Sequence, residues 1–182
     1  MAKRWYDRLT RPTSQEITTA YKEWLGQVPW KLFATYTFTW SVSDAQADDV
    51  FKAYINELEK LLRSPIAFVR GDEKRSAAFG LSENGRHFHT LLTSIVPLDP
   101  SMFKTRWYRY AGTGHRGDSA DVRKYTPQLD GIGYCLKLID ETEGDWTLRN
   151  LDFFIPNWSA TDPNRRSRRR AARNEDRENY SS

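Results

Sequence analysis

From Trp30 to Thr39 the chain alternates without a break. Ala34, Tyr36 and Phe38 fall on one side of an extended segment, and Thr35, Thr37 and Thr39 on the other. Alternation of period two predicts a strand with one apolar and one polar face. Beyond Ser43 the period lengthens: Val50, Phe51, Tyr54, Ile55, Leu58, Leu61 and Leu62 recur at three- and four-residue steps until Pro65. That stripe predicts a long amphipathic helix with a hydroxyl cap at its start and a proline stop at its end. A shorter helix is expected upstream, opened by Thr13-Ser14-Gln15-Glu16 and running to about Leu25, before Gly26 and Pro29.

Further along, Ile66 to Val69 predicts a short strand, Gly71-Asp72-Glu73-Lys74 a loop, and Ala77 to Glu83 another strand. Asn84-Gly85 is a two-residue hairpin signal leading into a strand from Arg86 to Val96. A helix from Asp99 to about Tyr110 and a glycine-rich loop over 112–117 follow. Ala120 to Tyr125 predicts a strand, Asp130 caps a helix to about Thr142, and Leu148 to Ile155 predicts a last strand or packed segment. The order predicts an α+β fold, with a mainly antiparallel central sheet and helices on one face, ferredoxin-like or split βαβ.

Composition narrows the class. A chain of 182 residues is long enough for one domain with extensions, divided here as a helical extension over 1–29, a domain over 30–163 and a tail over 164–182. The single cysteine, Cys135, excludes an internal disulfide, and no apolar run approaches membrane-spanning length, so a soluble, cytoplasmic protein is expected. No phosphate-cradling Gly-x-x-x-x-Gly-Lys-Ser/Thr occurs, which argues against an ATPase or helicase module. Seven arginines against three acidic residues place the whole net charge of +4 in residues 164–182. The run Asn164-Arg165-Arg166-Ser167-Arg168-Arg169-Arg170 reads as a polybasic arm that contacts phosphates without reading sequence, or equally as a solvated tail or linker.

The chemistry-bearing residues sit on two of the expected elements. In Arg86-His87-Phe88-His89 the two imidazoles project outward from one face of a strand, about 6.5–7 Å apart along it, while Phe88 points the other way. Tyr134 and Lys137 are three apart and share a helix face. A His-x-His pair alone is common on exposed strands, and a Tyr-x-x-Lys pair is common on packed helices. Together they suggest a cation held by imidazoles beside a tyrosine that attacks a phosphodiester.

In this order the motifs resemble the HUH endonucleases, specifically the single-tyrosine rolling-circle replication initiators. Phe33-Ala34-Thr35-Tyr36-Thr37 resembles their first-strand motif, His87-Phe88-His89 the histidine–hydrophobe–histidine motif, and Tyr134-Cys135-Leu136-Lys137 the catalytic motif. The resemblance implies a site-specific single-stranded DNA endonuclease and strand-transferase. It implies Mn2+ or Mg2+ as cofactor, Tyr134 as nucleophile with Lys137 beside it, and a 5′-phosphotyrosine intermediate that leaves a priming 3′-hydroxyl. An origin strand, presented in a hairpin, and a host helicase and polymerase are the partners it implies. Family members add a third ligand from a neighbouring strand, and Glu83 is the candidate, although a two-residue turn would pair it with Arg86 on the face away from His87.

The candidate DNA contacts are Thr35, Thr37, Arg86, Gly131 and Gly133, with Arg165, Arg166, Arg168, Arg169 and Arg170 in the arm. The two glycines would let a DNA backbone come close, or would simply loosen a helix start. Tyr125 and His115 are expected to be structural and exposed, respectively. A transposase with the same chemistry, a non-catalytic single-stranded DNA-binding module and a plain α+β domain are the rivals.

Overall fold

Antiparallel pairing joins five strands in the order β4-β1-β3-β2-β5 in the computed structural model, which describes residues 13–38, 41–74, 86–111, 119–137 and 145–154. The elements are α1 (Ser14–Leu25), β1 (Leu32–Thr37), α2 (Asp44–Leu62), β2 (Ala67–Lys74), β3 (Arg86–Thr93), α3 (Pro100–Tyr110), β4 (Ala120–Lys124), α4 (Gly131–Leu136) and β5 (Asp145–Arg149). Strands β1 and β2 both run antiparallel to β3, which lies between them, so β1-α2-β2 is a split βαβ unit. The β3-α3-β4 unit is split in the same way by β1. The expected α+β class and antiparallel sheet are therefore present.

Local chemistry explains the element ends. Thr13 and Ser43 each form a capping box, with Glu16 and Gln46, at the starts of α1 and α2. Asp99 caps α3, and Pro100 occupies its first turn, where a missing N–H costs nothing.

The sheet has helices on both faces, where the sequence pattern led us to expect one. On the first face Tyr36, Phe68, Phe88 and Leu92 meet Phe51, Tyr54 and Leu58 of α2 and Phe103 and Trp107 of α3. The hydroxyls of Tyr36 and Tyr54 are 2.9 Å apart, and Tyr54 donates to the Phe103 carbonyl; burial pushes both pKa values up, which makes them structural groups. On the second face Phe33, Val69 and Leu91 meet Leu25 of α1 and Ile132, Cys135 and Leu136 of α4. The N-terminal helix thus belongs to this second core.

Strand β2 is longer than the pattern implied, because Gly71 to Lys74 continue it instead of forming a loop. Arg70 and Asp72 hid this, since charges on a buried face look like a loop. Here they satisfy each other at 2.7 and 2.9 Å; Asp48 of α2 completes the pairing, and the Arg70 guanidinium lies over the Phe51 and Phe88 rings. Lys74 faces Arg86 across the ladder. The Ala77–Glu83 strand, Asn84-Gly85, His115 and the tail lie outside the described residues, whereas the helix expected to reach Thr142 ends at Leu136, with Lys137 as its C-cap. The last strand, β5, begins at Asp145, earlier than expected, and a 3-10 turn over Leu151–Phe153 follows it. Among the described residues no helix is long and apolar enough to cross a membrane.

Gly71 fixes how closely α4 lies on the sheet. A Cβ there would collide with the Cys135 carbonyl. Gly71→Val is therefore expected to cost about 1–3 kcal/mol or more of stability, read from urea unfolding, and to lift α4 off β2.

Candidate functional site

Alternation along β3 turns His87 and His89 to the second face, with Phe88 in the first core, as the sequence pattern required. The flanking registers decide what they meet: Glu73 of β2 and Thr37 of β1 lie opposite His87, and Gly71 and Thr35 lie opposite His89. Glu73 points to the same face because Val69, Gly71 and Glu73 alternate with Arg70 and Asp72.

Three donor atoms converge there. Glu73 Oε2 is 3.0 Å from His87 Nε2 and 3.2 Å from His89 Nε2, and the two imidazole nitrogens are 3.1 Å apart. Neighbouring ligands of a six-coordinate cation with bonds of about 2.1 Å are roughly 3 Å apart, so this triangle fits one face of such a site. Two imidazoles and a carboxylate on one face leave the remaining positions for substrate and water. Burial alone would raise the Glu73 carboxyl, but the His87 charge and the hydrogen bonds from His89 and Lys137 outweigh it and hold it below its ordinary value. Among the described residues the third donor of this cluster is Glu73, a residue the loop assignment concealed; Glu83 lies outside them. The only sequence signal for Glu73 was its alternation with Gly71 and Val69.

The imidazoles are less exposed than expected. His87 is 5% exposed and His89 only half-buried, so neither simply faces outward.

Thr35, named as a DNA contact, has its Oγ1 3.1 Å from His89 Nδ1. For His89 to offer its Nε2 lone pair to a cation, its proton must sit on Nδ1 and be donated to that hydroxyl. Thr35→Val should weaken Mn2+ binding by about 10-fold or more, measured by calorimetry, while Thr35→Ser restores it. Thr37 flanks His87 and is half-buried.

Tyr134 reaches the same place from above. It is 52% exposed, its ring centroid is 5.6 Å from that of His89, and it meets Phe33 edge-on at 6.2 Å. Lys137, immediately after α4, places Nζ 3.4 Å from Glu73 Oε1, the oxygen turned away from the imidazoles. The motif residues Tyr134, Lys137, His87 and His89 are thus brought together around Glu73.

The helix carrying the tyrosine is tied down at its start. Asp130, at φ 47°, caps α4 by accepting from the Gly133 N–H, and Lys22 of α1 bonds its other oxygen at 3.0 Å. Gly131 and Gly133 serve this docking. A side chain at Gly131 would stand 2.8 Å from Phe33, and one at Gly133 would strike the Asp130 carboxylate. At Gly131 the space named for a DNA backbone is filled by Phe33, Tyr125 and Leu91.

Other named residues lie elsewhere. Arg86 is buried on the opposite face, ion-paired with Asp44 of α2, which is not where a DNA contact at this site would stand. Tyr125 packs against Gly131; burial, then Asp130 and Cys135, push its hydroxyl up, so it is a poor second nucleophile. The Cys135 thiol is buried 3.3 Å from the His89 carbonyl, and burial pushes its pKa up, which leaves it unreactive. The arginines Arg165, Arg166, Arg168, Arg169 and Arg170 lie outside the described residues.

Comparison of this chain with protein-family models, with curated proteins and with solved structures returns no match.

Proposed function

We propose that the protein nicks and rejoins single-stranded DNA through Tyr134, as an initiator of rolling-circle replication. The observation that carries this reading is the convergence, on one face of the sheet, of an exposed tyrosine with a Glu73–His87–His89 donor triangle. A non-catalytic binding module would need neither group, and would have no reason to bring them together.

The Tyr134 oxygen attacks the phosphorus, the P–O3′ bond breaks, and the phenolic proton ends on the departing 3′-oxygen. One phosphodiester replaces another, so a 3′-hydroxyl can reverse the step without ATP. Glu73, His87 and His89 would hold a divalent cation, which withdraws charge from the phosphate oxygens. The mixed nitrogen and oxygen donors favour Mn2+ over Mg2+, which prefers oxygen. Thr35 fixes the His89 ring, and Lys137 holds the second Glu73 oxygen while its charge faces the phosphate side.

The test is an incubation of labelled single-stranded DNA, including hairpin-presented strands, with Mn2+ or Mg2+. A labelled protein–DNA adduct on a denaturing gel is the expected result. Its absence across a randomised oligonucleotide pool would sink the proposal.

A further inference from the structure

The edge strand β4 carries a charge that the proposed chemistry does not use. The guanidinium of Arg123 lies over the Phe33 ring, 5.2 Å from its centroid. The same ring stacks against His89 at 6.1 Å and 17°, and meets Tyr134 edge-on. Arg123 is therefore one ring away from both a metal-site histidine and the proposed nucleophile.

Its surroundings leave it open. Pairing places Asp121 beside Thr35 and Arg123 beside Phe33, on the face of the histidines, while Val122 and Lys124 turn to the other face. Helix α4 packs over β2 and β3, and Asp121 and Arg123 are exposed on the outer strand. Among the described residues Arg123 makes no ion pair. On the opposite flank of the centre, above β2, stands Lys137 beside Glu73.

We propose that Arg123, seated on Phe33, binds a backbone phosphate of the substrate strand on the β4 side of the centre, so that the strand runs across the sheet between Arg123 and Lys137. This rests on the site taking single-stranded DNA. A guanidinium held over an aromatic ring makes no hydrogen bond to it and keeps its N–H donors for a charge-assisted, two-pronged bond to phosphate. Asp121 works against it, because a carboxylate two residues away on the same face repels the phosphate.

The test measures binding of a labelled single-stranded oligonucleotide by fluorescence anisotropy across a salt series, in EDTA so that no cation-dependent cleavage intervenes. Arg123→Met keeps the aliphatic cover over Phe33 and removes the charge. It should weaken binding about 5- to 10-fold near physiological salt and flatten the slope of log K against log salt by about 0.7, one single-strand phosphate contact. Lys124→Met, next in sequence but on the other face, should change affinity by less than about 2-fold, and Asp121→Asn should tighten binding. An unchanged slope in Arg123→Met, or an equal loss in Lys124→Met, overturns the assignment. If the wild-type protein forms the Tyr134 adduct while Arg123→Met binds normally, only the Arg123 site fails. If the wild-type protein neither binds the oligonucleotide nor forms an adduct, the reading beneath it fails as well.

Discussion

Replacing Tyr134 by phenylalanine is expected to abolish adduct formation and strand cleavage, by on the order of 10⁴-fold or more, with DNA binding retained. The change deletes one hydroxyl from a side chain that is 52% exposed, so the packing of α4 on Gly71 and Phe33 stays as it is. Urea unfolding should therefore overlay the wild-type curve within about 0.5 kcal/mol. An adduct that persists in this variant would move the nucleophile to another side chain. Tyr125 is disfavoured in advance, because burial and the neighbouring Asp130 oppose its ionisation.

Glu73→Gln is the second large effect. It keeps size and shape but offers a neutral amide where two imidazole nitrogens face a carboxylate oxygen. Mn2+ affinity, measured by calorimetry or by the spectrum of free Mn2+, should fall more than about 100-fold, and nicking should disappear at ordinary cation concentrations. Glu83→Gln should leave both unchanged. The reverse pattern would return the third ligand to Glu83. His89→Ala should behave like Glu73→Gln, whereas His87→Ala also empties a buried position and needs a stability measurement beside it.

The legible parts of the molecule were those where one period governs a whole element. The β1 alternation and the α2 stripe are each decided by a single buried face, so their hydrophobic residues announce the geometry. The histidine pair was legible for the same reason, being fixed by the strand repeat, and Tyr134 lies on the expected helix, although that helix ends just before Lys137. Glu73 was not, because its strand buries Arg70 and Asp72 in a charge cluster completed by Asp48, a helix residue 22 positions from Arg70. No local pattern reveals that those charges have partners. Thr35 and Gly131 were named for DNA, but neighbours distant in sequence give them other work, and Gly133 is taken up by the Asp130 cap. His89 is 54 positions from Thr35, and Phe33 approaches Gly131 from the far end of the chain. Contacts of that kind become visible only once the register is known.

The brevity of α4 divides the centre in two. Six residues are far fewer than the roughly 12–15 at which a helix begins to hold itself together, so α4 owes its form to its docking. Lys22 and Asp130 hold one end, the Gly71 contact the middle and the Lys137–Glu73 pair the other end. The histidines instead sit on a strand hydrogen-bonded along both edges, where opening requires the sheet itself to come apart. Amide hydrogen exchange is therefore expected to be slower along β3, which carries the histidines, than along α4, which carries Tyr134. Under the proposed chemistry, a tyrosine joined to a DNA end would then be free to shift with its short helix while the Glu73–His87–His89 triangle stays assembled on the sheet.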